Sequence, residues 1–101
     1  MPATLSNPQK RYLRGLAHDL RPVILVGAKG VTPALLAELG VALEQHELIK
    51  VRVAAEDRET RDQWIAALAE GGDAALVGRI GHVAVLYRAR KDKPQVILPK
   101  T

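Results

Sequence analysis

The chain has 101 residues, no cysteine, and 15 Lys and Arg against 11 Asp and Glu, for a formal charge of +4 and a pI near 9.8. That length suits one compact domain with one core, and without cysteine there are no disulfides, thiolate metal ligands or thiol nucleophiles. Residues 1–12 carry Lys10 and Arg11 but no apolar stretch of the kind a secretory signal needs, and aliphatic runs such as Val23 to Val26 are too short to cross a membrane. A cytoplasmic protein with no membrane partner is expected.

The charge is segregated along the chain. Residues 1–30 hold five basic groups (Lys10, Arg11, Arg14, Arg21, Lys29) against Asp19 alone, a balance of +4. Residues 31–73 hold four basic and nine acidic groups, −5, and residues 74–101 hold six basic groups against Asp92, +5. If the two basic ends meet in space, the folded molecule has a positive side suited to an acidic partner.

Ser6 or Asn7 followed by Pro8 predicts a helix start. The helix is expected from about Pro8 to Leu20, with Leu13, Leu16, Ala17 and Leu20 on its buried face, Arg11, Arg14 and His18 opposite, and Lys10 between. Arg21-Pro22 should stop it. Val23 to Val26 reads as an unbroken strand of the kind found in the middle of a sheet. Gly27-Ala28-Lys29-Gly30 follows as a tight turn, and Thr32-Pro33 opens a second helix to about His46, with Leu35, Leu36, Leu39 and Leu43 as its apolar stripe.

From Leu48 to Ala54 the pattern alternates, placing Ile49, Val51 and Val53 on one face and Lys50 and Arg52 on the other. Strand, helix and strand make a right-handed βαβ unit with parallel strands. Asp57 is the expected cap of a third helix, which carries Trp64, Ile65 and Leu68 inward and ends at Gly71-Gly72. Residues 75–80 and 83–88 form a hairpin across Gly81-His82, a type II′ signature. Pairing Ile80 with Val83 puts Arg79 and Arg88 on one face of it. Residues 90–101 read as a basic C-terminal tail with a short apolar segment, Val96 to Leu98. The order α-β-α-β-α-β-β predicts an α/β sandwich with a four-stranded mixed sheet, a single domain over 1–101.

Catalytic chemistry finds little material. Ser6 is the only serine, the three histidines lie on separate elements, and His46-Glu47-Leu48-Ile49-Lys50 lacks the second histidine of a zinc-binding HExxH helix. The carboxylates from Glu56 to Asp62 are interspersed with Arg58 and Arg61 and read as a solvated helix start. No catalytic residue, metal, cofactor or small-molecule substrate is expected. Gly27-Ala28-Lys29-Gly30 is too short for a P-loop and lacks the third glycine of a dinucleotide fingerprint, but it matches the GxxG turn by which KH-type domains hold a nucleic-acid backbone. Aromatic residues are limited to Tyr12, Trp64 and Tyr87, so base stacking on a sheet is not supported.

The succession Gln9 to His18 (QKRYLRGLAH), Pro22 to Gly27 (PVILVG), His46 to Val51 (HELIKV) and Ile80 to Arg88 (IGHVAVLYR) resembles the YhbY-like CRM domain family over nearly the whole chain. The resemblance implies a fold similar to the C-terminal domain of translation initiation factor 3. It also implies RNA binding with a GxxG loop and, for stand-alone bacterial members, association with precursors of the large ribosomal subunit. Gly27 and Gly30 match the family's loop. Ala28 and Lys29 within it, Lys10, Arg11 and Arg14 on the first helix, and Arg88 on the last strand are the candidate RNA contacts, and a monomer is expected. The competing reading is an adaptor whose acidic middle docks basic ribosomal proteins.

Overall fold

Ser6, Thr32 and Asp57 start three helices by the same chemistry. Each side-chain oxygen accepts the backbone N–H three residues on, from Gln9, Leu35 and Thr60, a donor that has no partner within the helix. Gln9 completes a capping box by accepting the Ser6 N–H. In this computed structural model, described over residues 5–99, the helices are α1 (Asn7–Ala17), α2 (Pro33–His46) and α3 (Arg58–Gly71). The strands are β1 (Pro22–Val26), β2 (Leu48–Val53), β3 (Ala75–Ile80) and β4 (Val83–Tyr87).

The strand order is β1-β2-β4-β3, with β1 parallel to β2 and β4 antiparallel to both its neighbours. The fold is therefore the α/β arrangement with a four-stranded mixed sheet that the element order predicted. Alternation along the strands divides the apolar side chains between two cores. On one face Ile24, Val26, Ile49, Val51, Val53 and Leu86 pack against Leu39 and Leu43 of α2 and Ile65 and Leu68 of α3. On the other, Leu48, Ala75, Val77, Val85 and Tyr87 pack against Leu13 and Ala17 of α1, with Val96 and Leu98 of the tail alongside. The hairpin has the predicted Ile80–Val83 pairing, and Gly81 takes φ 58 in its turn.

Two expectations are corrected. The uninterrupted aliphatic run of β1 predicted an interior strand, yet β1 lies at the sheet edge. The strand buried on both faces is β4, which inserts between β2 and β3. α2 covers only one face of β1, so Val23 and Leu25 on the other are 49% and 59% exposed. Helix α1 also ends at Ala17, three residues early, and a turn from Ala17 to Leu20 carries the chain to β1. Its buried stripe narrows to Leu13 and Ala17, and Leu16 and Leu20 remain 44% and 41% exposed.

The tail has no regular secondary structure up to residue 99, and three of its backbone N–H groups are held by one side chain. Glu47, 1% exposed, follows the last residue of α2 with φ 61. Its Oε2 accepts the Arg90 N–H at 3.0 Å, and its Oε1 accepts those of Gln95 and Val96 at 2.7 and 3.0 Å. Burial alone would raise this carboxyl's pKa. The three N–H donors and the charge of Arg90 outweigh it and hold the group below the usual glutamate value.

A depressed folded pKa means that the attachment is fully present above the ordinary glutamate range and is lost as pH falls through the lowered value. Acidification should therefore speed amide exchange at Arg90, Gln95 and Val96 before the strands are affected. Glu47→Gln, which turns an acceptor into a donor facing N–H groups, should reduce stability at neutral pH by about 2 kcal/mol in urea unfolding.

Candidate functional site

α1 and the tail cover only one end of their sheet face, the end where Leu48 and Ala75 both pair with Tyr87. The other end is open. The register sets Leu25 beside Arg52, Arg52 beside Val83, and Val83 beside Ile80, making one row across all four strands. Arg52 is exposed and Ile80 is 68% exposed. A second cation, Lys50, lies two residues back on β2 and donates from Nζ to the His18 carbonyl at 3.3 Å, so it reaches the C-terminal end of α1.

α1 borders this open area with its basic side. Lys10, Arg14 and His18 recur every four residues and line one flank of the helix, with Arg11 next to them. The stem of Arg14 lies over Gly78 of β3, where a Cβ would come within 3.2 Å of it. Arg14 is thus brought to the same face as Lys50 and Arg52, with Lys10 one turn back on the same flank, while Arg11 is exposed on the outer side of α1.

At the open end β1 runs directly into Gly27-Ala28-Lys29-Gly30, a turn closed by the Gly30 N–H on the Gly27 carbonyl at 3.0 Å. Two separate requirements fix glycine at position 30. Its φ is +72, and a Cβ there would meet the Trp64 indole at 3.1 Å. Gly27 has no such need, since its φ is not positive and nothing lies within 4 Å of an added Cβ. Ala28 and Lys29 are exposed.

Arg88 lies apart from this surface. It donates to the Gly72 carbonyl at 2.8 Å and the Gly40 carbonyl at 3.1 Å, with Glu44 at 3.7 Å. It therefore ties the end of α3 to the middle of α2. Arg79, on the same face, pairs with Asp62. Arg61 reaches the Ala55 and Glu56 carbonyls, and Arg90 those of Glu44 and Gln45. On the α1 side, Arg11, Arg14, Arg21, Lys29 and Arg52 make no hydrogen bond or ion pair through their side chains among the described residues. The arginines facing α2 and α3 are thus bound internally, whereas those facing the open sheet are free.

Reading the sequence missed Lys50 and Arg52 as site residues. Their alternation against Ile49, Val51 and Val53 placed them on the other face, but that face is open at Arg52 because α1 and the tail cover only its far end. Among the described residues there is no cluster of three or more His, Asp or Glu able to hold a metal, and no helix long and apolar enough to cross a membrane.

Residues 5–88 match the CRS1 / YhbY (CRM) domain. The chain belongs to the CRM domain family. It is 48% identical over 97 residues to a Haemophilus influenzae protein named RNA-binding protein, covering 96% of this chain and 97% of that one. It is 40% identical over 95 residues to the Bacillus subtilis protein named Probable RNA-binding protein YqeI, covering 94% and 99%. The solution structure of SAV1595 from Staphylococcus aureus superposes with a TM-score of 0.83 at 34% identity, covering 95% of this chain and 100% of that one. The CRM match spans all seven elements and ends at Arg88, just before the tail that Glu47 holds.

The division among the arginines has a direct consequence for CRM-domain stability. Arg88→Gln removes charged donors from two helix carbonyls and should lower stability by roughly 2 kcal/mol. Arg52→Gln should stay within about 0.5 kcal/mol of the parent chain. Urea unfolding of the two variants checks the contrast.

Proposed function

We propose that this CRM domain binds RNA, without catalysis, through the open end of its sheet. The contacts are Arg52 and Lys50 on β2, Lys10, Arg11 and Arg14 on α1, and the Gly27-Ala28-Lys29-Gly30 loop. The observation that carries this reading is a set of cations on one face with no carboxylate partner among the described residues, of which only Lys50 makes an internal hydrogen bond, while the arginines of the opposite face are engaged. Free guanidinium groups on an open surface suit phosphates, and the names of the bacterial relatives point to the same ligand. Gly27 fits this reading, because a glycine the fold does not require allows a backbone to come close. Gly15 repeats the pattern on α1: it sits mid-helix among Arg11, Arg14 and His18, with nothing within 4 Å of an added Cβ. In that position it is about 1 kcal/mol less favourable than alanine.

The RNA we assign is ribosomal, in cytoplasmic precursors of the large subunit, with the protein acting as an assembly factor. The family resemblance supports this, as does the scarcity of aromatic side chains, which favours recognition of shape and backbone over stacked single strands. The adaptor reading has less to stand on: of the acidic middle, Glu44, Glu47, Asp57 and Asp62 have partners within the fold, and none of the relatives' names points to a protein ligand.

Replacing Arg14 and Arg52 together by glutamine should weaken binding about equally for unrelated RNAs and shallow the salt dependence by roughly one to two units. Gly27→Ala and Gly15→Ala should keep or raise thermal stability yet reduce RNA affinity several-fold. Gly40→Ala on α2, where an added Cβ also meets nothing, is the control and should leave affinity unchanged. Mobility-shift titrations at several salt concentrations read both effects, and an unchanged slope would remove the sheet surface from the interface.

In sucrose gradients at low salt the protein should travel with immature large subunits and not with small subunits or translating ribosomes. High salt should release it. Protein that stays at the top of the gradient, even with added precursor particles, would refute the ribosomal assignment.

A further inference from the structure

Beyond the open end of the sheet, the lower flank of α1 leaves a concavity. A groove of about 420 Å³ lies between the end of α1, the start of β1 and the tail, walled by Leu16, Leu20, Val23, Leu48 and Val96. Its volume is within the range of small-molecule sites. Three of its walls are the large aliphatic side chains left exposed by the early end of α1 and the edge position of β1. Exposed apolar residues gathered in a concavity mark a contact surface more often than scattered ones do.

We propose that this groove receives one unstacked base of the bound RNA. The inference rests on the RNA-binding reading above and adds the kind of RNA preferred. Charge favours a nucleotide. Arg21 and His46 are in the lining, no carboxylate is, and Arg21 makes no internal hydrogen bond or ion pair among the described residues. A nucleotide joins a flat apolar face to a phosphate, and an aliphatic groove with the Arg21 guanidinium in its lining complements both parts. Position favours the same RNA that occupies the sheet. Pro22, next to Arg21, pairs in register with Lys50, whose Nζ reaches the His18 carbonyl, so Lys50 stands between Arg52 of the open sheet and Arg21 of the groove. A protein partner would need a far larger matched area for a stable complex and acidic flanks to suit this rim.

The walls offer few hydrogen-bond groups, so the groove should select a base that is already unpaired more than it selects which base it is. Opening a paired base costs energy that a bulged nucleotide does not need. The full chain should therefore bind an RNA duplex with a single-nucleotide bulge on the order of tenfold more tightly than the same duplex without it. 2-Aminopurine at the bulge should change its fluorescence on binding.

Leu16→Gln and Leu20→Gln, tested separately because each side chain is already largely exposed, should abolish that preference and the fluorescence change while affinity for the perfect duplex stays the same. Equal affinity for bulged and perfect duplexes, or a preference that survives both variants, overturns the base pocket but not RNA binding and leaves the groove to a protein partner. Failure to bind either RNA overturns the RNA reading as well.

Discussion

A carboxylate withdrawn from water is tolerated only when both oxygens find donors, and that requirement at Glu47 governs how this chain closes. α2 ends with its last N–H bond on the Leu43 carbonyl, and the backbone turns through a positive φ rarely taken by a residue with a side chain. The turn buries the carboxylate, and the Glu47 carbonyl accepts the Arg88 N–H at 2.9 Å just after β4. Main chain and side chain of one residue thus join the end of α2, the end of β4 and the tail. Tyr87, beside them, has its hydroxyl pKa raised by burial and then by the charge of Glu47. Burying the acid depends on laying down the tail, because the three tail N–H groups are the donors that satisfy the carboxylate once it is out of water.

What lies over the α1 face follows from that closure. With Val96 and Leu98 against the second core, the tail and α1 share the end of the sheet near Tyr87. α1 is held at its start by Gln9, which donates to the Pro99 carbonyl at 2.8 Å. The helix therefore covers half of the face and leaves β1 and the far ends of β2, β3 and β4 without a roof. The open surface is the part of the sheet that the available cover does not reach.

How much of this was legible depends on the range of the interaction. Caps at Ser6, Thr32 and Asp57, the alternation of β2 and the Gly81 turn rest on residues a few positions apart, and all are as read. The edge position of β1 was not legible, because it depends on β4 pairing with β2 across a long stretch of chain, and an aliphatic run looks the same at an edge covered on one face as in the middle. Glu47 was not legible either. Glycine or asparagine usually marks a positive φ after a helix, and nothing adjacent to a glutamate announces that its partners are residues 90, 95 and 96. Lys50 and Arg52 were half legible: their direction could be read, their surroundings could not. Of the candidate contacts, Arg14 came to the open face with Lys10 on the same flank, Arg11 stands on the outer side of α1, and Arg88 faces the helices.

The unequal treatment of the two faces also has an energetic logic. Arginine on a helix carbonyl satisfies an acceptor that the helix end leaves open and adds charge where the dipole favours it, so Arg90 at the end of α2 and Arg88 on Gly72 at the end of α3 stabilise the frame. Among the described residues Lys10, Arg14, Lys50 and Arg52 have no carboxylate to answer them, and cations sharing one face repel one another within the screening distance of about 8 Å at physiological salt. That repulsion lowers the stability of the free protein and is relieved when a polyanion occupies the face, so binding and folding stability are linked through the same groups. The opposite side adds little to that repulsion, because its Arg79 and Arg88 stand beside Asp62 and Glu44 over an aliphatic core.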